Sequence, residues 1–318
     1  MIWIIRRRRR GKKKRSQPSA RMESFEESAA RLLQSRSKVG TLRALTITKN
    51  LVDFSSNDYL GLARSEALHN KVLSKIDYIR KDLRRSHESL LGSTGSRLLA
   101  GNSSYYESLE REIAEFHNRE AALIFNSGYD ANLGLFSSLP AEEDVVICDE
   151  LMHNSVMMGV RLGRQKATLL FRHNDLGHLA ELLRACAAQG QRALVAVESV
   201  YSMDGDGAPL RPLLDLCLRA GGAYVVVDEA HGTGVLGPRG AGALAAAGLE
   251  GHPALLASVH TYGKALGAHG AAVACSGALR AYLVNYARPL VYSTALPLHS
   301  LAGIQCAYAF QAGEEGDA

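Results

Sequence analysis

The sequence has few of the residues on which several kinds of site depend. Its five cysteines are scattered over 318 residues without a C-x-x-C pair: Cys148, Cys186, Cys217, Cys275 and Cys306. That distribution predicts reduced thiols, neither a disulfide framework nor a zinc site, so no metal ligands are assigned. No apolar run is long enough to span a bilayer. The chain also lacks the G-x-x-x-x-G-K-[ST] loop of nucleotide-binding enzymes, because Gly263-Lys264 is followed by alanine.

The net charge of +5 comes from one block near the start of the chain. Residues 6–15, RRRRRGKKKR, carry nine basic side chains, and the rest of the chain is slightly acidic. Such a block predicts a disordered, solvated extension over residues 1–20. We expect a cytoplasmic protein without a nucleic-acid partner. A mitochondrial presequence is the alternative, although the basic residues lack amphipathic spacing.

Seven short apolar runs alternate with helical patterns through the middle of the chain. The strand candidates are AALIFNS, DVVICDE, TLLFRH, ALVAVES, AYVVVDE, LLASV and AAVACS. Continuous apolar strands separated by helices predict an α/β fold whose mostly parallel, seven-stranded sheet is flanked by helices. Four of the runs end in polar pairs: Asn126-Ser127, Asp149-Glu150, Glu198-Ser199 and Asp228-Glu229. Ligands of such sheets bind beyond the carboxyl ends of the strands, so these pairs predict a site there.

The flanking segments predict the domain boundaries. Residues 21–65 are expected to form an arm with a helix from Glu23 and a strand over residues 51–62. Residues 66–306 are expected to form the large domain, in which the Gly- and Ser-rich LLGSTGSRLLAGN is a loop. Ser104 and Glu107 have the spacing of a capping box that begins the next helix. Residues 307–318 are expected to be an acidic tail.

The stretch AYVVVDEAHGTGVLG, residues 223–237, fits three different motifs. DEAH is typical of helicases, but the missing phosphate loop excludes that interpretation. Gly232-x-Gly234-x-x-Gly237 has dinucleotide-binding spacing, but in that motif the glycines begin where the strand ends, and here four residues intervene. The third interpretation is a buried strand that carries the carboxylate of Asp228 to a site.

Asp228, His231 and Lys264 together indicate pyridoxal phosphate chemistry. A lysine in a tight turn can form a Schiff base with an aldehyde. A carboxylate at a strand end can keep a pyridine nitrogen protonated. Lys264 follows a predicted strand within SVHTYGKALGAHG, and Thr261, three residues before it, is a candidate phosphate ligand.

The chain resembles the α-oxoamine synthases, which are fold-type I pyridoxal-phosphate enzymes, from about Asp53 to about Leu298. The motifs that carry the resemblance are FSSNDYLGL, GSTGSRLLAGN, FNSGYDAN, CDELMHNS, ESVYSMDGDGAPL, VVVDEAHGTGVLG, TYGKALGAHGAAV and RPLVYSTALP. It implies an acyltransferase that condenses an amino acid with an acyl-CoA and releases CoA and CO2. Within the family the match favours the branch that makes 8-amino-7-oxononanoate for biotin from L-alanine and pimeloyl-CoA.

The resemblance also assigns roles to individual residues. It implies that Lys264 forms the Schiff base and Asp228 pairs with the pyridine nitrogen. His231 would face the 3-oxygen of the ring, and His153 would stack on the ring, which completes the predicted catalytic set. The further predicted cofactor contacts are Gly128, Tyr129, Ser202, Thr261 and, from a second subunit, Ser293. The predicted substrate contacts are Arg43, Asn57 and Ser96.

The shared Ser293 implies a homodimer with shared active sites. The resemblance ends near residue 298, whereas the family continues into a C-terminal small domain that binds the substrate carboxylate, so we expect that domain to be truncated.

Two alternatives stay open. The chain could belong to another branch, of the 2-amino-3-ketobutyrate CoA ligase, 5-aminolaevulinate synthase or serine palmitoyltransferase type. It could also be a non-catalytic protein that binds pyridoxal phosphate.

Overall fold

The computed structural model describes residues 22–47, 52–86 and 89–313. The predicted basic extension therefore lies outside the described residues. The chain divides into two units, with the boundary between Phe54 and Ser55. In the first unit, helix α1 (Phe25–Lys38) begins at Ser24, whose hydroxyl forms a capping box with Glu27, and none of its residues is buried. The predicted helix of the arm is thus confirmed.

The second unit contains a single sheet of seven strands. The strands are β1 (Ala121–Phe125), β2 (Val145–Asp149), β3 (Ala167–Phe171), β4 (Ala193–Glu198), β5 (Ala223–Asp228), β6 (Leu255–Thr261) and β7 (Ala271–Cys275). Their order across the sheet is β1-β7-β6-β5-β4-β2-β3. Only β7 runs antiparallel to its neighbours β1 and β6. The predicted α/β fold with a mostly parallel sheet is confirmed strand by strand.

Helices cover both faces of this sheet. They are α2 (Glu66–Ser86), α3 (Ser104–Phe116), α4 (Gly128–Ser138), α5 (Asn154–Leu162), α6 (Leu176–Ala188), α7 (Leu210–Ala220), α8 (Ala243–Ala247), α9 (Gly277–Tyr286), α10 (Arg288–Val291) and α11 (Leu298–Ala312). Successive strand residues point to opposite faces. Val226 accordingly packs with α4, α5 and α9, while its neighbours Val225 and Val227 pack with α6, α7 and α8. Burial on both faces explains why the strands are almost wholly apolar. None of the described helices is long and apolar enough to cross a membrane.

Three details of the predicted boundaries are wrong. Residues 52–62 contain no strand; this segment is irregular and leads into a short 3-10 turn at Leu62–Arg64. Helix α3 is capped by the hydroxyl of Ser103, which accepts the N–H of Tyr106, and Ser104 is already the first helical residue. The acidic tail does not begin at residue 307.

Helix α11 extends the packed structure through Ala312. The side chain of Tyr308 is 8% exposed, and its hydroxyl lies 2.8 Å from Nε2 of the buried His117. Gln311 is also buried and donates to the carbonyl of Gly234 at 2.8 Å. These contacts place residues 307–312 in the large domain, because they join α11 to segments that are far away in sequence. Residues 314–318 lie outside the described part of the chain.

Candidate active site

Lys264 lies in a tight turn directly after β6. The turn is closed by the N–H of Ala268, which donates to the carbonyl of Tyr262 at 2.8 Å. Gly267 has φ +59, and a side chain there would overlap the backbone of Leu62 and Ala63. Burial lowers the pKa of Lys264, against the opposing effect of the carboxylates of Asp228 and Glu198. The turn therefore holds a lysine whose amine is more readily deprotonated than that of a surface lysine.

His231 connects Lys264 to a segment early in the chain. Its Nε2 lies 2.8 Å from Nζ of Lys264, and its Nδ1 lies 2.7 Å from the hydroxyl of Tyr59. Burial, then Lys264 and His153, lower the pKa of His231 to about 4, so the ring is neutral at pH 7. With Nζ of Lys264 donating to Nε2, the ring proton lies on Nδ1 and is donated to Tyr59. The Tyr59 hydroxyl can then donate to Oδ1 of Asn57, 3.0 Å away.

Asp228 is the last residue of β5, and both of its carboxylate oxygens accept hydrogen bonds. Its Oδ2 accepts the side-chain amide of Asn132 at 2.7 Å, and its Oδ1 accepts the N–H of Ala230 at 2.9 Å. The same Asn132 amide lies 3.0 Å from the hydroxyl of Ser155. The carboxylate is buried, with 5% of the residue exposed, and is fixed in one orientation by these donors. It therefore presents a fixed negative charge at the carboxyl edge of the sheet.

His153 begins helix α5 beside this carboxylate. Its Nδ1 accepts the N–H of Ser155 at 3.2 Å and lies 2.7 Å from the Ser155 hydroxyl. Ser155 in turn contacts Asn132, so His153 and Asp228 are joined through two intermediate side chains. Burial lowers the pKa of His153, and Asp228 partly offsets that effect. Contacts with Ser155, in the first turn of α5, thus set the orientation of the His153 ring.

The first turn of α4 lies next to the side chain of Thr261. Helix α4 begins at Gly128 and is capped by Ser127. A Cβ added at Gly128 would lie 3.2 Å from Cβ and 3.3 Å from Oγ1 of Thr261. The absence of a side chain at Gly128 therefore lets the first turn of α4 approach Thr261 closely. Free N–H groups at a helix N-terminus favour a phosphate.

The DEAH stretch separates into two functions. His231 contacts Lys264 and Asp228 interacts with it electrostatically, whereas Glu229 bonds inside the fold. Its carboxylate accepts the hydroxyl of Ser199 at 2.7 Å and the N–H of Leu244, in the first turn of α8, at 2.7 Å. A side chain at Gly232 would overlap Glu229. At least this glycine of the G-x-G-x-x-G spacing serves internal packing, which argues against a dinucleotide site.

The other predicted site residues lie on separate segments. Ser96 is in the loop before α3, Ser202 in the exposed loop between β4 and α7, and Ser293 between α10 and α11. Arg43 is exposed in the first unit. Hydrogen bonds connect Lys264, His231 and Asn57 in one group. They connect Asp228 and His153 in another, and Lys264 and Asp228 interact electrostatically.

Four residues beside the predicted site residues were not assigned a role from the sequence: Tyr59, Asn132, Ser155 and Glu198. The first three lie inside the motifs that carry the resemblance, and Glu198 is one of the polar strand ends. Glu198 is 2% exposed and is paired in register with Asp228 on the adjacent strand. Burial, then the charge of Asp228, raise its pKa to about 7. Its position at a strand end was the available signal.

Comparisons with known proteins agree with this geometry. A model of the family "Aminotransferase class I and II" matches residues 49–311. The chain belongs to this family. Among curated relatives, the 8-amino-7-oxononanoate synthase of Emericella nidulans is 47% identical over 277 residues, which cover 84% of this chain and 65% of the relative. That of Chlorobaculum parvum is 42% identical over 78% of this chain and 62% of the relative.

Solved structures of the same fold include two kinds of α-oxoamine synthase. Sphingomonas wittichii serine palmitoyltransferase matches with a TM-score of 0.77 at 28% identity, over 94% of this chain and 74% of that one. The 8-amino-7-oxononanoate synthase of Francisella tularensis matches with a TM-score of 0.66 at 26% identity, over 84% and 71%. Within the aminotransferase class I and II family, the chain is therefore a member of the α-oxoamine synthases.

The chain spans somewhat less than two thirds of the length of the curated relatives it matches. One matching serine palmitoyltransferase structure contains PLP as the internal aldimine, with a TM-score of 0.76 at 26% identity, over 92% of this chain and 73% of that one. The family and such neighbours indicate pyridoxal phosphate as the cofactor.

Proposed function

We propose that the chain is a pyridoxal-phosphate-dependent acyltransferase that condenses L-alanine with pimeloyl-CoA to 8-amino-7-oxononanoate, CoA and CO2 in biotin biosynthesis. The observation that carries the proposal is the meeting of Lys264, His231 and Asp228 at the carboxyl edge of the sheet. The substrate pair is inferred from the curated relatives, two of which, at 42–47% identity, are named for this product.

The described residues fit pyridoxal phosphate. The N-terminus of α4 at Gly128, beside the Thr261 hydroxyl, suits a phosphate, and a Cβ at Gly128 would crowd Thr261. The buried, fixed carboxylate of Asp228 suits a protonated pyridine nitrogen, since burial strengthens an ion pair of this kind. Lys264 supplies the amine that binds the aldehyde carbon. We assign the remaining cofactor contacts to Tyr129, His153, Ser202, His231 and Ser293 of the partner subunit.

The bound cofactor supplies an electron sink for negative charge at the Cα of the amino acid. Asp228 keeps the proton on the ring nitrogen, which maintains that sink. Lys264, with its lowered pKa, takes the proton from Cα and later returns one. His231, which contacts both Lys264 and Tyr59, stays neutral, so it places no positive charge next to the amine of Lys264. His153 covers one face of the site and excludes water from it. Asn57, Ser96 and Arg43 are the proposed substrate contacts.

A second candidate has its own support. Serine palmitoyltransferases match the structure with TM-scores of 0.77, which favours a branch that uses a different amino acid and a longer acyl chain. The other branches of the family and a non-catalytic pyridoxal-phosphate protein stay as alternatives. We further propose a cytoplasmic homodimer whose two subunits share their active sites; the relatives give no support to the mitochondrial alternative.

A turnover assay separates these functions. CoA release should be measured with L-alanine and pimeloyl-CoA and, in parallel, with L-serine and palmitoyl-CoA. The 318-residue chain should be compared with the same chain extended by the C-terminal third of a relative, because the match covers only about 65% of the relatives' length. We expect release from alanine and pimeloyl-CoA, faster in the extended chain. Release only from the second pair would overturn the substrate assignment, and release from neither by the extended chain would favour the non-catalytic alternative.

A further inference from the structure

His173 joins two loops that each carry a predicted cofactor contact. It lies between β3 and α6 and is not itself among the predicted site residues. Its Nδ1 lies 2.9 Å from Oδ1 of Asp149, and its Nε2 lies 2.8 Å from Oδ2 of Asp206. Asp149 is the last residue of β2, four residues before His153. Asp206 is four residues after Ser202. One imidazole ring therefore connects the two loops on which His153 and Ser202 lie.

At one end of this connection, the carboxylate of Asp149 is buried and accepts several hydrogen bonds. The side chain of Asp149 is 0% exposed. Besides the His173 ring, it accepts the N–H of Leu151 and the N–H of Asn174, each at 2.9 Å. The carboxylate thereby fixes the first residues of the loop that leads to His153, and it fixes the backbone next to His173.

The Asp206 end is more exposed, but several contacts keep it in place. The side chain of Asp206 is 44% exposed and also accepts the amide of Asn174 at 2.8 Å. The loop is closed on itself by the N–H of Tyr201, which donates to the carbonyl of Asp206 at 2.9 Å. The Tyr201 ring packs edge-on against His173, with 4.5 Å between the ring centroids. Contacts that hold Asp206 in place therefore also constrain Ser202, four residues earlier in the same loop.

The His173 ring can donate to both carboxylates only when both of its nitrogens carry protons; the amide nitrogen of Asn174 also lies 3.2 Å from Nε2. Burial alone would lower the pKa of His173, but the hydrogen bonds to Asp149 and Asp206 raise it above its ordinary value. Glu150 faces the same residue and accepts its backbone N–H at 2.9 Å, and Asp204 lies close to its ring. Of these neighbouring carboxylates, Asp149 and Asp206 are the ones that favour the imidazolium form.

We propose that His173 is a positioning residue whose imidazolium holds the His153 loop and the Ser202 loop together around the cofactor. The inference rests on the proposed cofactor contacts of His153 and Ser202. It adds a residue that touches neither cofactor nor substrate and that acts only through Asp149 and Asp206. A neutral ring carries a proton on only one nitrogen, so its other nitrogen presents a lone pair to a carboxylate. Loss of the second ring proton therefore weakens the hydrogen bond to Asp206.

The connection is tested best at Asp206, because its exposed side chain can be changed without leaving the buried Asp149 unpaired. The dissociation constant of pyridoxal phosphate should be measured by absorbance titration of the full chain at several pH values. We expect Asp206→Ala to weaken binding about three- to tenfold at pH 6.5, since partly exposed charged hydrogen bonds contribute modestly. Asp206→Asn should restore much of the affinity, because its amide oxygen can still accept from Nε2.

The pH profile separates positioning from a general structural role. The ratio of the Asp206→Ala constant to the wild-type constant should decrease as pH rises through the raised pKa of His173, because the bond is then lost in both proteins. A ratio that stays constant to pH 9 contradicts the proposal. Asp204→Ala is the matched control in the same loop and should leave the affinity unchanged.

The control also tests a metal site. Ligand atoms of His173, Asp204 and Asp206 lie within 4.8 Å of one another. Equal losses in the two alanine variants that appear only with added Zn²⁺ would indicate a metal site and overturn the imidazolium connection. His153→Ala and Ser202→Ala test the underlying site: if they weaken binding while Asp206→Ala does not, only the role of His173 is wrong. If neither weakens binding, the proposed cofactor contacts are wrong.

Discussion

Nζ of Lys264 lies 2.8 Å from Nε2 of His231, although 33 residues separate them in the chain. The contact joins the turn after β6 to the segment after β5, which are adjacent strands of the sheet. It explains why DEAH occurs in a chain without a phosphate loop: the histidine of that stretch contacts the lysine.

Asp228→Asn should keep the fold and abolish chemistry at Cα. The amide can still accept the side chain of Asn132, but it carries no negative charge with which to hold the ring nitrogen protonated. We expect exchange of the alanine Cα proton in D2O, followed by NMR, to slow at least about 10²-fold. Asp215→Asn, at a carboxylate that pairs with His252, is the control and should exchange normally. Normal exchange in Asp228→Asn would contradict the assigned role.

Tyr59→Phe should slow the reaction modestly and change its pH profile. The substitution removes the hydroxyl that lies 2.7 Å from Nδ1 of His231, so the neutral tautomer that faces Lys264 loses its partner. Net hydrogen bonds of this type contribute about 0.5–1.5 kcal/mol, which predicts a two- to tenfold decrease in kcat. Tyr78→Phe, at an exposed tyrosine, serves as the control. An unchanged rate and pH profile in Tyr59→Phe would show that the Tyr59 contact has no part in catalysis.

The protein should lose stability as pH falls below about 6.5. His117 and His260 are buried and stacked, with 3.6 Å between ring centroids. Burial lowers the pKa of His117 to about 3 and that of His260 well below its ordinary value. Both rings are protonated in the unfolded chain below pH 6.5 but neutral in the folded one. Their contribution is complete above that pH and is lost as pH falls, by about 1.4 kcal/mol per unit for each ring.

Urea unfolding at pH 7.5, 6.5 and 5.5 measures this loss. His117→Gln should make the dependence shallower, because one of the two titrating rings is gone, although its bond to Tyr308 is lost at every pH. A free energy of unfolding that is the same at pH 6.5 and 5.5 in the unchanged chain would disprove the contribution of the buried pair.

The sequence predicted the sheet well because each strand is an apolar run that ends in polar residues. The prediction failed where the deciding contact lies far away in the chain. The end of the chain was interpreted from its acidic and glycine residues, but Tyr308 is fixed by His117, 191 residues earlier. The strand expected over residues 51–62 has no partner in the sheet, whose strands all lie between Ala121 and Cys275.

The same limit applies to the site. Asp228, His231 and Lys264 were found because their residue types and strand context indicate a known chemistry. Asn132 and Tyr59 were missed because an amide and a phenol inside loop motifs have many possible roles. Only the fold shows that one contacts Asp228, 96 residues away, and the other His231, 172 residues away.

The most direct test of the account is to identify the residue that carries the cofactor. The chain should be incubated with pyridoxal phosphate, reduced with borohydride and digested, and the modified peptide should be sequenced by mass spectrometry. We predict one modification, at Lys264, and none in Lys264→Ala, while Lys71→Ala, at a lysine that packs over Phe310, should be labelled like the unchanged chain. A reduced adduct that persists in Lys264→Ala, or that maps to another lysine in the unchanged chain, would contradict the proposed site.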